Sequence, residues 1–91
     1  MMACVLCTLD RRTHWYTETP QWVVLECETC GVPMAVWRKH TEDIPDDEKG
    51  TMLAELGRIA DIQLGEGRWR LDSIRRMIPH HPHWHARPSW W

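Results

Sequence analysis

The chain has no phenylalanine and a single tyrosine among its 91 residues, so its aromatic content rests almost wholly on seven tryptophans. No apolar run approaches the ~18 residues that a membrane-spanning helix needs, and no membrane partner is expected. Excess charge is also missing. Eleven Lys and Arg stand against thirteen Asp and Glu, a formal charge of −2, with a pI near 6.3. That balance leaves no basic footprint and argues against non-specific binding to nucleic-acid phosphates or anionic lipid. Material for a large core is short too. Only 43% of the residues are hydrophobic, and a domain of this size buries only about 60–65% of the surface its unfolded chain exposes. One domain, residues 1–91, is all the length supports, and it needs a further source of stability. There is no internal repeat, and no low-complexity segment beyond a His/Trp-rich tail.

Cysteine can supply that stability. Cys4-Val5-Leu6-Cys7 and Cys27-Glu28-Thr29-Cys30 are two C-x-x-C knuckles with nineteen residues between them, a spacing that reads as a zinc site. Taken together, Cys4, Cys7, Cys27 and Cys30 make a closed tetrahedral set of the kind that contributes folding energy. Zinc is therefore the expected cofactor. The competing reading is a disulfide framework in an exported chain. The first residues show no basic region followed by a long apolar stretch, which favours a cytoplasmic, reducing home where thiols pair with metal.

Periodicity places these cysteines on a fold. Trp15 to Thr17 and Trp22 to Leu25 are rich in aromatic and β-branched residues and predict two strands joined by a turn at Glu18-Thr19-Pro20-Gln21. Antiparallel strands bring their flanks together, so Cys7 and Cys27 are expected on one side of the hairpin's open end. Gly31-Val32-Pro33 predicts a turn and Met34 to Trp37 a third strand. Pro45 with Asp46, Asp47 and Glu48 marks a helix start, because proline fits the first turn and acids favour the positive end of the helix dipole. Leu53, Leu56, Ala60 and Leu64, widened by Met52 and Ile59, form an apolar stripe at helical spacing. Gly65-Glu66-Gly67 ends the helix, and Gly50 and Gly57 within it each cost up to about 1 kcal/mol relative to Ala. From Arg68 the period becomes two. The expected architecture is α+β: an antiparallel sheet of about four or five strands against one main helix. It divides into a Cys-knuckle hairpin (1–33), a strand plus helix (34–64) and strands carrying the tail histidines (68–91). Trp15, Trp22, Trp37 and Trp69 are expected in the core.

The tail reads Ile78-Pro79-His80-His81-Pro82-His83-Trp84-His85-Ala86-Arg87. If residues 81–86 are extended, His81, His83 and His85 share one face and Pro82, Trp84 and Ala86 the other. Neighbouring imidazoles then lie about 7 Å apart at ~3.3 Å rise per residue, close enough to serve one phosphate or one metal. Imidazole can be nucleophile, proton donor or ligand near neutral pH. Pro82 cannot donate to a ladder, so this strand is expected at an edge or a bulge. A His-rich tail can also be a plain metal binder without catalysis.

These features together resemble the histidine-triad superfamily, which includes the galactose-1-phosphate uridylyltransferases. The resemblance spans nearly all of the chain. It rests on Cys4-Val5-Leu6-Cys7, a strand ending in Glu26, Val36-Trp37-Arg38-Lys39-His40 ahead of the acidic helix start, and His81-Pro82-His83-Trp84-His85. It implies a zinc-containing, commonly homodimeric α+β domain that binds a nucleotide or nucleotidyl conjugate and hydrolyses or transfers at the α-phosphate. By that likeness His83 is the nucleophile that forms a phosphohistidine, His85 donates to phosphate oxygens or the leaving group, and His81 supports the nucleophile or binds metal. Glu26 stands where the family often grips ribose hydroxyls. The likeness also implies a second metal set, Cys4, Cys7, His40 and His81. The family's Gly-rich phosphate cradle is replaced by Asp72-Ser73-Ile74-Arg75-Arg76-Met77, in which Arg75 and Arg76 can bind phosphate instead. Trp84, with Trp90 and Trp91, can stack on a base or pack across a dimer. The alternative function is a non-catalytic, zinc-stabilised module that binds a nucleotide or a protein.

Overall fold

The computed structural model describes residues 11–39, 41, 43–73 and 81–90. Five strands and one helix follow in the order β1 (Trp15–Glu18), β2 (Trp22–Glu26), β3 (Pro33–Trp37), α1 (Asp46–Leu64), β4 (Trp69–Asp72) and β5 (His83–Pro88). All neighbouring strands are antiparallel, and the sheet order is β1-β2-β3-β5-β4. This is the α+β architecture expected from the sequence, with one helix on one face of a five-stranded sheet.

Local chemistry sets most of these elements. The β1–β2 turn is closed by Thr19, whose hydroxyl accepts from the Trp22 N–H at 2.9 Å. The β2–β3 connection is the second cysteine knuckle. Gly31, at φ +70°, takes the left-handed conformation that a residue with a Cβ rarely adopts. The chain then doubles back, and the Cys27 N–H donates to Val32 O at 2.8 Å. Helix α1 begins after Pro45 with Asp46, Asp47 and Glu48 in its first turn, and it ends at Gly65. The Gly65 N–H caps Asp61 O at 3.1 Å.

Strand alternation divides the buried residues into two clusters. On the helix side, Trp22, Val24, Ala35, Trp37, Trp84 and Ala86 pack with Met52, Leu56, Ile59 and Ala60 of α1. On the other side lie Val23, Leu25, Cys27, Val32, Met34 and Val36, with Trp15 and Cys30 partly buried against them. Trp22 and Trp37 are core residues as expected, while Trp15 and Trp69 are partly buried. Trp84 joins the core rather than the surface. Gly57 faces the Trp69 ring, which a Cβ there would meet at 3.4 Å. This close approach, and the Trp69 Nε1–H bond to Asp61 Oδ1 at 2.7 Å, tie β4 to the helix.

The position of β5 corrects one expectation. The histidine strand does not lie at an edge; it sits between β3 and β4. Pro82 is compatible with an interior position because it precedes the first strand residue and so removes no ladder donor. Its carbonyl accepts from the Trp37 N–H at 3.2 Å.

Candidate metal centre

The interior placement of β5 builds the site. Its register pairs Val36 with His83 and Met34 with His85, so both imidazoles leave the sheet on the face away from the helix, with Val36 and Met34. Cys27 follows β2 on that same face by alternation from Val23 and Leu25. The knuckle returns Cys30 beside it. One donor atom each from Cys27, Cys30 and His85 lie within 4.8 Å of one another.

This group could hold a metal ion. Donors on a tetrahedral zinc lie roughly 3.5–3.8 Å apart, given bonds of about 2.3 Å to sulfur and 2.0–2.1 Å to nitrogen, so small side-chain shifts suffice to close it. A second observation fits. Nδ1 of His85 is buried without a hydrogen-bond partner among the described residues. A buried polar atom in that condition is costly and calls for an explanation.

The electrostatics of the thiols fit ligation as well. Burial alone would push the Cys27 thiol up, but hydrogen bonds with His85, Cys30 and Thr29 outweigh it and hold the group at about 5. The Thr29 hydroxyl lies 3.4 Å from Cys27 Sγ. Cys30 moves the opposite way: burial and the neighbouring Cys27 thiol raise it against an opposing hydrogen bond from Arg87. The two thiols are thus shifted in opposite directions, as befits a close pair in which one negative charge disfavours a second. Arg87 shares the face of His83 and His85, and its Nε donates to Asp72 Oδ2 of β4 at 2.5 Å.

The other histidines are arranged differently. His83 and His85 approach edge to face, with ring centroids 5.6 Å apart. Nδ1 of His83 donates to His81 O at 2.7 Å. A carbonyl only accepts, so Nδ1 carries the proton and the lone pair of the neutral ring lies on Nε2. His81 is fully buried, and its Nε2 donates to Trp37 O at 2.5 Å.

The remaining predicted site residues are scattered. Glu26 closes β2 on the helix side by alternation from Trp22 and Val24; burial and the charge of Glu26 there raise the Tyr16 phenol. Trp84 faces the helix with the Lys49 ammonium 5.5 Å from its ring centroid. Neither shares the face that carries His83 and His85. Cys4, Cys7, His40, Arg75 and Arg76 lie outside the described residues. Of the predicted cysteine set, Cys27 and Cys30 stand together. The participation of His85 as their partner escaped the sequence reading. Its one usable signal was the alternation that separates His85 from Trp84.

No family model, curated protein or solved structure matches the chain. Among the described residues no helix is long and apolar enough to cross a membrane.

Proposed function

We propose that the protein is a small zinc-binding module in which the metal joins the β2–β3 knuckle to strand β5 through Cys27, Cys30 and His85. The supporting observation is the convergence of two thiols and one imidazole nitrogen of His85 within 4.8 Å. Two sulfurs and one nitrogen suit zinc, as a borderline-soft ion that accepts tetrahedral N/S sets. Zinc sites of this kind take four ligands, and the sequence offers Cys4 and Cys7 as candidates for the remaining one. Bound metal offsets the small core, because its binding energy is folding energy. A reducing compartment keeps the thiols available.

Metal content by mass spectrometry, with melting before and after chelation, tests this reading. The expected result is about one zinc per chain and a lower melting temperature without it. A Cys27→Ala, Cys30→Ala double variant that keeps both zinc and fold would defeat it and would favour the set Cys4, Cys7, His40 and His81.

A second reading has its own support in the His83 tautomer. A neutral ring that donates Nδ1–H to His81 O carries its lone pair on Nε2, the form that a nucleophile toward phosphorus requires. On this reading the protein is a histidine-triad hydrolase or nucleotidyl transferase, a homodimer acting on a nucleotide or nucleotidyl conjugate. Comparing turnover of nucleoside phosphoramidates, dinucleoside polyphosphates and a nucleotide sugar by wild type and His83→Ala decides it. Equal turnover by both removes the enzyme reading.

A further inference from the structure

Cys27 and Cys30 are free thiols that differ in access: Cys27 is 6% exposed, whereas Cys30 is half-buried between the exposed residues Thr29 and Gly31. Their sulfurs lie within 4.8 Å of each other. The turn is the cause, because the chain reverses after Cys27, with the Gly31 N–H donating to Cys27 O at 2.9 Å, and leaves the two side chains adjacent. A pair so placed has a second chemistry besides ligation. Thiolates that hold a metal are also the form that oxidants attack, and two adjacent sulfurs can exchange a shared ion for a bond to each other. The two states tie the fold differently. Metal on Cys27, Cys30 and His85 joins segments more than fifty residues apart, whereas a disulfide closes only the four-residue knuckle, and a short loop restrains the unfolded chain less than a long one.

We propose that Cys27 and Cys30 form a redox switch: a peroxide oxidises the pair to an intramolecular disulfide, which releases the metal and with it the tie between the knuckle and β5. The inference rests on the metal reading of Cys27, Cys30 and His85. Access sets the order of events. The Cys30 thiolate attacks one oxygen of hydrogen peroxide, the O–O bond breaks, and a sulfenic acid forms with loss of hydroxide. The Cys27 thiolate then attacks that sulfur, forms the S–S bond and expels a second hydroxide. Two thiolates have together lost two electrons and the peroxide has gained them. Of the three ligands only His85 is left, so the ion departs. Burial shields Cys27 from solvent and leaves it facing its neighbour, which resolves the sulfenic acid ahead of irreversible oxidation to sulfinic acid.

Zinc-loaded wild type is treated with stoichiometric hydrogen peroxide, and a chromophoric chelator follows the zinc set free. Remaining thiols are then blocked with iodoacetamide, and trypsin releases the peptide 13–38, which carries Cys27 and Cys30 but neither Cys4 nor Cys7. This peptide is expected to be unlabelled and two hydrogens lighter than its reduced form. Zinc should leave in step with that conversion, and the melting temperature should fall to that of the chelated protein. Dithiothreitol should restore labelling of both cysteines and the uptake of zinc. A peptide that stays reduced, gains oxygen at cysteine instead of losing hydrogen, or is linked to Cys4 or Cys7 overturns the proposal, as does zinc retained after the disulfide has formed. Wild type that takes up no zinc overturns the metal reading itself, a failure seen before any peroxide is added.

Discussion

His85 faces Met34 across β3 and β5, and this pairing brings an imidazole from near the end of the chain to the thiols of Cys27 and Cys30. The contact joins segments more than fifty residues apart in the sequence. Its consequences are measurable in stability as well as in metal content.

Substitution of the two neighbouring histidines should separate their roles. Metal at 100 times its dissociation constant adds about 2.7 kcal/mol to a protein that binds it only when folded. At about 4–8 °C per kcal/mol for a domain of this size, the melting temperature should rise by roughly 10–20 °C. His85→Ala should abolish that rise and His83→Ala should retain it. Differential scanning fluorimetry with and without zinc provides the comparison, and an equal response in both variants would contradict the assignment of His85.

The core under the helix should be sensitive to truncation. Met52 and Leu56 are both fully buried among the sheet tryptophans. Their replacement by Ala should cost about 2–5 kcal/mol each in chemical denaturation, from lost burial and the cavity left behind. Ile62 is 65% exposed on the same helix, and Ile62→Ala should stay within about 0.5 kcal/mol of wild type.

Three glycines should respond with different signs. Gly50 has open space where a Cβ would lie, so Gly50→Ala should stabilise the protein by about 0.5–1 kcal/mol through helix propensity. Gly65 combines φ +103° with an Arg68 carbon 2.9 Å from a built Cβ, and Gly65→Ala should destabilise it. Gly57→Ala should gain less than Gly50→Ala, because the Trp69 ring is already at 3.4 Å. Equilibrium unfolding in urea gives all three.

Acid should weaken the tie between β1 and the helix. Glu55 accepts from Thr17 of β1 and from Arg58, and the Arg58 bond, then the Thr17 bond, hold its carboxyl below the ordinary 4.5 against the opposing effect of burial. A carboxyl lowered on folding contributes stability above its unfolded value, and that contribution disappears as pH falls through the folded one. Glu55→Gln should therefore be less stable than wild type at neutral pH and lose less stability below about pH 4.5. Parallel slopes of unfolding free energy against pH for the two proteins would contradict this.

The sequence by itself determined the parts of the fold whose causes are local. The hairpin around Thr19, the turn at Gly31 and the helix between Pro45 and Gly65 stand where residue type and periodicity place them, because each depends on backbone conformations set within a few residues. The same holds for the nearness of Cys27 to Cys30, and for the alternation that puts His83 and His85 on one face. Tertiary structure alone decided the order of the strands. Pro82 suggested an edge, yet β5 lies between β3 and β4, because the proline precedes the strand and both faces of β5, the apolar one and the one that carries the histidines, are buried. That choice is non-local, made by burying Trp84 and Ala86 beneath the helix. It delivers His85 to the cysteines and Arg87 to Asp72, a juxtaposition that no spacing along the chain encodes.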